Sequence, residues 1–138
     1  MERYFTVEEA NRALALVSPI ASDIVAKMNQ AKRLHEEVKI QRESAQTNEV
    51  ELLEKLRHAE KLLNEVEYHM KELESVGALF KDLTLGLVDF PCLYSGRVIY
   101  LCWMLGEKTI TSWHEVDRGF SDRKPVDESF KPMARATV

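Results

Sequence analysis

Two adjacent residues near the end of the chain, His114 and Glu115, are the clearest candidates for chemistry in this sequence. An imidazole can bind a metal ion or move a proton near neutral pH, and a carboxylate can assist in either role. Adjacent residues of a β-strand point to opposite faces, however, so both can reach one atom only where the strand ends or bulges. A working site therefore needs a third group, and the candidates are Asp82, Asp89 and Cys102.

The first interpretation of these residues is a metal site. Imidazole and carboxylate donors together suit a divalent transition metal ion. The candidate ligands are His114, Glu115, Asp82 and Asp89, at the junction between the helical part and the strand-rich part of the chain. No familiar motif supports this set, because the sequence contains no CxxC pair, Walker loop, GxGxxG, GxSxG or HExxH.

The competing interpretation is structural, and the sequence favours it. His114 would donate a hydrogen bond to a buried carbonyl or carboxylate, and Glu115 would pair with Arg118 or Arg123. Charged groups held among tryptophans are costly unless they are paired, so such contacts are expected without any function. Cys102 lies within a predicted strand with no adjacent histidine, which predicts a buried and inert thiol.

The elements that position these residues begin with a long helix. Thr6 and Glu9 have the spacing of a capping box, and Phe5 precedes them where a hydrophobic staple would lie. The apolar residues that follow alternate three and four positions apart, the spacing of a helix that packs along one seam. They are Leu14, Val17, Ala21, Ile24, Met28, Ala31 and Val38.

A second helix is predicted after the break at Ser44–Asn48. The same spacing returns there and stops before Gly77, a residue that commonly ends helices. A short turn between two such helices predicts an antiparallel coiled-coil hairpin over residues 1–76. The second set of seam residues is Leu52, Leu56, Ala59, Leu63, Val66, Met70 and Leu73.

The apolar stripe of this hairpin is wider than two helices need. A wider stripe indicates a further helical partner, so we expect a homodimer with a shared four-helix core. The residues that widen the stripe are Ile20, Val25, Leu34, Leu53 and Leu62.

Residues 77–138 predict a small β module with an extended tail. Three runs rich in β-branched and aromatic residues are separated by turn residues, which predicts a three-stranded antiparallel meander. The first turn centres on Ser95–Gly96 and would place Asp89 opposite Cys102. The second is a two-residue turn at Gly106–Glu107. The fold class is therefore α+β, with the hairpin and the β module forming one compact unit.

Alternation along these strands predicts two faces. A core face would collect Val88, Phe90, Ile99, Leu101, Trp103, Ile110 and His114. The opposite face would collect Asp89, Tyr100, Cys102, Met104, Trp113 and Glu115, and it is too apolar to lie open to water. We expect the tail, the helices or another subunit to cover it. Phe120 and Phe130 are candidate anchors for the tail, which we expect to be loose from about Met133.

Composition limits the partners. The chain has 138 residues and a net charge of −4, and it lacks the basic stripe that nucleic acid requires, so we expect no nucleic-acid partner. The sequence contains no run of about 18 apolar residues, so it predicts no membrane span. The charged opening does not resemble a secretory peptide, and two cysteines make no disulfide framework, so we expect a cytoplasmic protein.

Several short motifs occur in a fixed order along nearly the whole chain. They are "YFTVEEANRAL", "GLVDFP", "LCWMLGE", "SWHE" and "GFSDRKP". In these motifs the chain resembles the bacterial domain-of-unknown-function family 2203. The resemblance implies a bacterial protein but no activity, cofactor or catalytic residue, because the family is uncharacterised.

Two functions from different classes remain. The first is a non-enzymatic interaction or scaffold protein whose hairpin pairs with itself and with a protein partner, without a cofactor. The second is a small metal-binding protein or metal-dependent enzyme with its site around His114. The sequence favours the first, because long heptads are present and a complete catalytic set is not.

Overall fold

The computed structural model describes residues 3–45 and 47–130, and the chain begins with two packed helices. Helix α1 spans Val7–Glu43 and helix α2 spans Glu49–Val76. A short turn joins them, which confirms the predicted helical hairpin. Among the described residues, no helix combines the length and the apolar character that crossing a membrane requires.

Both helices begin and end where the sequence predicts. The Thr6 hydroxyl accepts a hydrogen bond from the Glu9 backbone N–H, and the Glu9 carboxylate accepts one from the Thr6 N–H, which completes the capping box. The Asn48 side chain accepts from two backbone N–H groups at the start of α2. Gly77 ends α2 with a φ of 98°, a left-handed conformation in which other residues are strained.

The predicted seam of the hairpin is buried or half-buried, with one correction. In α2, Leu62 is 6 % exposed while the predicted seam residue Leu63 is 38 % exposed, so the stripe lies one position earlier there. Buried seam residues of the two helices are Leu14, Val17, Ala21, Ile24, Ala31, Val38, Leu52, Ala59, Val66 and Leu73.

Most of the residues that predicted a dimer pack within one chain. Ile20 and Leu62 are buried, and Val25 and Leu34 are half-buried. Leu53 remains 50 % exposed. The widened stripe is therefore largely accounted for by the packing of a single chain, which removes much of the reason for expecting a four-helix core.

The second part of the chain is a five-stranded antiparallel sheet with its strands in sequence order. The strands are β1 (Leu79–Asp82), β2 (Leu87–Tyr94), β3 (Arg97–Met104), β4 (Ser112–Glu115) and β5 (Lys124–Pro125). The predicted meander corresponds to β2, β3 and β4. The short outer strands β1 and β5 were not predicted, because each is too brief to show an alternating pattern.

The predicted turn between β2 and β3 is confirmed. Tyr94 pairs with Arg97, so the turn centres on Ser95 and the glycine after it. This register places Asp89 directly opposite Cys102, as the sequence indicated.

The register between β3 and β4 differs from the predicted one. The two-residue turn would have paired Leu101 with Ser112, whereas the structure pairs Cys102 with Ser112. A shift of one residue exchanges the two faces of a strand. Trp113 therefore lies on the face that contacts the helices, and His114 lies on the opposite one, the reverse of our prediction.

The face of the sheet that contacts the helices is called the inner face, and the other is called the outer face. One apolar core joins the inner face to both helices. Phe5 precedes α1 and packs edge-on against Phe90, with ring centroids 5.2 Å apart. The buried inner-face residues are Val88, Phe90, Cys92, Ile99, Leu101, Trp103 and Trp113. Each large side chain among them stabilises the fold by about 1.5–3 kcal/mol.

The chain after β4 contacts both faces of the sheet. Phe130 stacks on Tyr94 with ring centroids 4.8 Å apart and lies 5.7 Å from Trp113, which confirms it as an anchor of the tail. Phe120 lies over the outer face and is 40 % exposed. Met133, where we expected the tail to become loose, lies outside the described residues.

Candidate metal centre

Three neighbouring strands bring Asp89, Cys102 and His114 together on the outer face. Asp89 of β2 is the direct partner of Cys102 of β3. His114 of β4 is opposite Tyr100, two residues from Cys102, so alternation places it on the same face and diagonal to the thiol. The sheet thus brings one carboxylate, one thiol and one imidazole side by side on its outer face.

All three side chains are removed from water. Asp89 is 2 % exposed, Cys102 is 1 % exposed and His114 is 4 % exposed. Their potential ligand atoms all lie within 4.8 Å of one another. His114 Nε2 and Asp89 Oδ1 are 3.2 Å apart.

The hydrogen bonds of His114 determine which ring nitrogen is available. Its Nδ1 lies 2.7 Å from the backbone carbonyl oxygen of Glu115. A carbonyl can only accept, so Nδ1 carries a proton and donates it. Nε2 then faces Asp89 Oδ1. Our structural interpretation of His114, a contact with a carbonyl or a carboxylate, is confirmed for both. The same Nδ1 bond is the one that orients many metal-binding histidines through Nε2.

Burial shifts the acid–base properties of the other two groups. It raises the pKa of Asp89, and the neighbouring His114 opposes that rise. It raises the pKa of the Cys102 thiol to about 12, and the nearby Asp89 adds to the effect. A thiol with this pKa is protonated at neutral pH and is a poor nucleophile.

A cavity of about 140 Å³ opens onto the three residues. Its walls come from β1, β2, β3 and the segment that follows β4. Apolar side chains, two cationic side chains and the three candidate ligands all contribute. The lining residues are Lys81, Leu87, Asp89, Tyr100, Cys102, His114, Val116, Arg118, Gly119 and Phe120.

Arg123 holds the covering segment against the sheet. Its guanidinium donates to both carboxylate oxygens of Glu107 at 2.9 and 3.0 Å, and to the Cys102 carbonyl at 3.4 Å. The same Glu107 carboxylate accepts from the backbone N–H of Met104 at 2.7 Å. Because both charged side chains are largely buried, the pair fixes the segment that encloses the cavity.

Two of the predicted ligands lie elsewhere. Glu115 is on the inner side of β4, where its two oxygens accept hydrogen bonds from Arg97 at 2.8 and 2.6 Å. This pairing lowers the pKa of Glu115. Our prediction that Arg118 or Arg123 would hold Glu115 is therefore wrong, because the adjacent strand supplies a closer guanidinium.

Asp82 shapes a turn instead of entering the cavity. Its Oδ1 accepts the backbone N–H groups of Thr84 at 2.8 Å and Leu85 at 2.7 Å, between β1 and β2. Its neighbour Lys81 points to the outer face and lines the cavity. Of the four predicted ligands, the structure brings together only Asp89 and His114.

Cys102 is the residue that the predicted set of metal ligands omitted. The predicted turn between β2 and β3 already placed it opposite Asp89, and this pairing was the signal that could have included it. The error in the register of β4 assigned His114 to the face opposite Asp89 and Cys102, so Cys102 remained a candidate third group and was not among the four predicted ligands.

The donor set fits a zinc ion that keeps an open position. Bonds of about 2.0–2.3 Å to tetrahedral zinc place ligand atoms roughly 3.3–3.8 Å apart. The distance of 3.2 Å between His114 Nε2 and Asp89 Oδ1 is close to this range, whereas the bound of 4.8 Å on the other pairs is wider, so the Cys102 thiol would have to move toward the ion by up to about 1 Å. Three protein ligands beside a cavity match sites in which the fourth position takes water or a substrate.

Comparisons with known proteins identify the family. No curated protein and no solved structure matches the chain. A family model described as "Uncharacterized conserved protein (DUF2203)" matches residues 3–126, a range that includes both helices, the whole sheet and the cavity. The predicted resemblance is confirmed, and the chain belongs to the DUF2203 family.

Proposed function

We propose that this protein binds one zinc ion, or a similar divalent transition metal ion, through Asp89, Cys102 and His114. The observation that carries the proposal is the convergence of three different buried donors within 4.8 Å at the floor of a cavity. Sulfur, nitrogen and oxygen donors together favour zinc over the hard ions magnesium and calcium. The proposed ion keeps its fourth position toward the cavity, so the site suits binding or activation of a small ligand.

Packing alone does not explain these residues. Removing a carboxylate from water is costly, and apolar side chains of similar size often replace a buried charged pair without loss of stability. The fold already has an apolar core on the inner face, so the outer face does not need charged groups for stability. A bound cation would offset the cost by drawing the thiol and the carboxylate into their ionised forms.

Cobalt(II) titration tests this proposal, because cobalt replaces zinc and reports its ligands by absorbance. We expect one ion per chain, visible bands of a four-coordinate site and a near-ultraviolet thiolate-to-cobalt band. Cys102→Ser should abolish the thiolate band. Cys92→Ser is the matched control, since this second buried thiol belongs to the inner face.

Three outcomes would contradict the metal proposal. One is the absence of saturable cobalt binding to the folded protein. Another is a spectrum without a thiolate band. The third is a Cys102→Ser variant that retains the spectrum of the parent protein.

A second candidate function is protein interaction through the helical hairpin. Three large apolar side chains are exposed near the turn between the helices: Ile40 at 59 %, Val50 at 65 % and Leu53 at 50 %. An apolar patch of this kind favours contact with another chain. We propose a second copy as the partner, so that two hairpins associate as a homodimer with coiled-coil contacts.

Light scattering tests the second candidate. The parent protein should have the mass of a dimer at micromolar concentration, and Leu53→Glu should shift it toward the monomer. Glu54→Gln, an exposed neighbour on the same helix, serves as the control. A monomeric parent protein would contradict self-association and would leave the metal proposal unaffected.

We also propose that the protein acts in the bacterial cytoplasm. Cys92 and Cys102 are both free thiols. Persistent thiols suit a reducing compartment. Fractionation of the native host would check this, and recovery in a secreted fraction would contradict it.

A further inference from the structure

The mouth of the metal cavity carries two cationic side chains, and one of them, Lys81, acts electrostatically on the buried Asp89 from beyond ion-pair distance. Lys81 and Arg118 both line the cavity and both are exposed on their outer sides. Neither forms an ion pair with any described residue. The Lys81 ammonium lies 5.1 Å from the centre of the Tyr100 ring, which also lines the cavity. This contact keeps the ammonium near the entrance.

The remaining walls strengthen the effect of these charges. Leu87, Val116 and Phe120 are apolar, and Asp89 is the one acidic residue among the described residues that line the cavity. Apolar walls reduce screening by water, so each cation acts more strongly on a ligand inside than it would in solution.

We propose that the open position of the metal ion takes a small oxyanion, either a carboxylate or a phosphate, which Lys81 and Arg118 hold. This inference rests on the proposed metal site. A divalent ion with one thiolate, one carboxylate and one neutral imidazole has no net charge left to attract an anion. The attraction must therefore come from neighbouring cations, and the cavity provides two. An oxygen of the ligand would complete the coordination of the ion while its remaining oxygens contact the ammonium and the guanidinium.

The size of the cavity limits the ligand. A volume of about 140 Å³ is well below the roughly 300–1,000 Å³ of pockets for drug-sized molecules. The bound group is therefore small, or it is the anionic end of a longer molecule that extends outside.

Anion titration of the cobalt-loaded protein tests this inference. Acetate and inorganic phosphate are the probes, and acetamide is the control for acetate because it has nearly the same shape and no charge. We expect acetate or phosphate to shift the visible cobalt bands with saturation, while the thiolate band persists and shows that the ion stays bound. Acetamide should leave the spectrum unchanged. A response to phosphate alone would assign the ligand to the phosphate class.

Substitutions at the cavity mouth separate this inference from the metal proposal. Lys81→Met and Arg118→Met should each weaken anion binding roughly tenfold without weakening cobalt binding, because removing a nearby cation cannot repel the metal ion. Lys61→Met, an exposed cation on α2, is the matched control and should bind the anion like the parent protein. Anion binding that both mouth variants retain, or no anion response in a cobalt-loaded protein, would overturn the inference alone. Failure to bind cobalt would overturn both proposals.

Discussion

The two faces of the sheet use the same strands for different purposes. On the inner face, Phe90 and Trp103 pack against the helices with 0 % and 1 % of their surface exposed. On the outer face, Asp89 and His114 are nearly as buried, with 2 % and 4 % of their surface exposed. Burial of the inner residues stabilises the fold directly, whereas burial of Asp89 on the outer face raises the pKa of its carboxyl. Equal burial therefore has different consequences on the two faces: it stabilises the fold on the inner one, and on the outer one it encloses the three donors of the proposed metal site.

The largest effect should come from the inner face. Phe90→Ala removes a fully buried ring that packs against Phe5, so we expect the free energy of unfolding to fall by about 3–5 kcal/mol. Chemical denaturation measures this change. Leu85→Ala, at a position that is 45 % exposed, is the control and should change stability by less than about 0.5 kcal/mol. If the two variants lost the same free energy of unfolding, the proposed difference between the buried inner face and the exposed surface would be contradicted.

The next effect concerns the segment that encloses the outer face. Arg123→Met breaks the largely buried pair with Glu107, and we expect a loss of about 2 kcal/mol because charged hydrogen bonds are removed. The neighbouring Arg118→Met should cost little stability, since Arg118 forms no ion pair with any described residue. Thermal unfolding of both variants checks the difference. A neutral Arg123→Met would show that the covering segment does not depend on this contact.

Asp89→Asn separates stability from binding on the outer face. The amide keeps the shape of the side chain and can donate a hydrogen bond to His114 Nε2, so we expect stability to change by less than about 1 kcal/mol. Cobalt affinity should fall at least about a hundredfold, because an amide is a much weaker ligand than a carboxylate. A variant that unfolds as readily as Phe90→Ala would assign Asp89 to the structural core instead.

The smallest expected signal is the reaction of the two cysteines in the metal-free protein. Burial raises the pKa of Cys92 to about 11 and that of Cys102 to about 12. At pH 8, roughly one thiol in a thousand or fewer is then ionised, so alkylation should be very slow and should accelerate as the pH rises. Denaturant should release both thiols. Rapid labelling of Cys102 in the folded protein would contradict the burial of the outer face.

Local signals predicted much of this fold. The capping box at Thr6, the stop at Gly77 and the turn at Ser95–Gly96 each depend on a few neighbouring residues, and the structure confirms all three. The pairing of Asp89 with Cys102 followed from the last of these.

The site depended on information that local signals do not contain. The chain turns tightly after Met104, but β4 begins only at Ser112, and the length of that irregular connection determines which face His114 occupies. The pairing of Glu115 with Arg97 likewise follows from the register of β3 and β4. Strand registers across irregular loops are set by the packing of the whole sheet. The predicted set of metal ligands therefore included Glu115 and left out Cys102.

A crystal structure of the zinc-loaded protein tests the central claim most directly. An anomalous difference map recorded across the zinc absorption edge should show one strong peak per chain. That peak should lie about 2.0–2.3 Å from Cys102 Sγ, His114 Nε2 and an oxygen of Asp89. A peak at another site, such as His69 and Glu72 on the hairpin, or no peak at the floor of the outer-face cavity, would contradict the account.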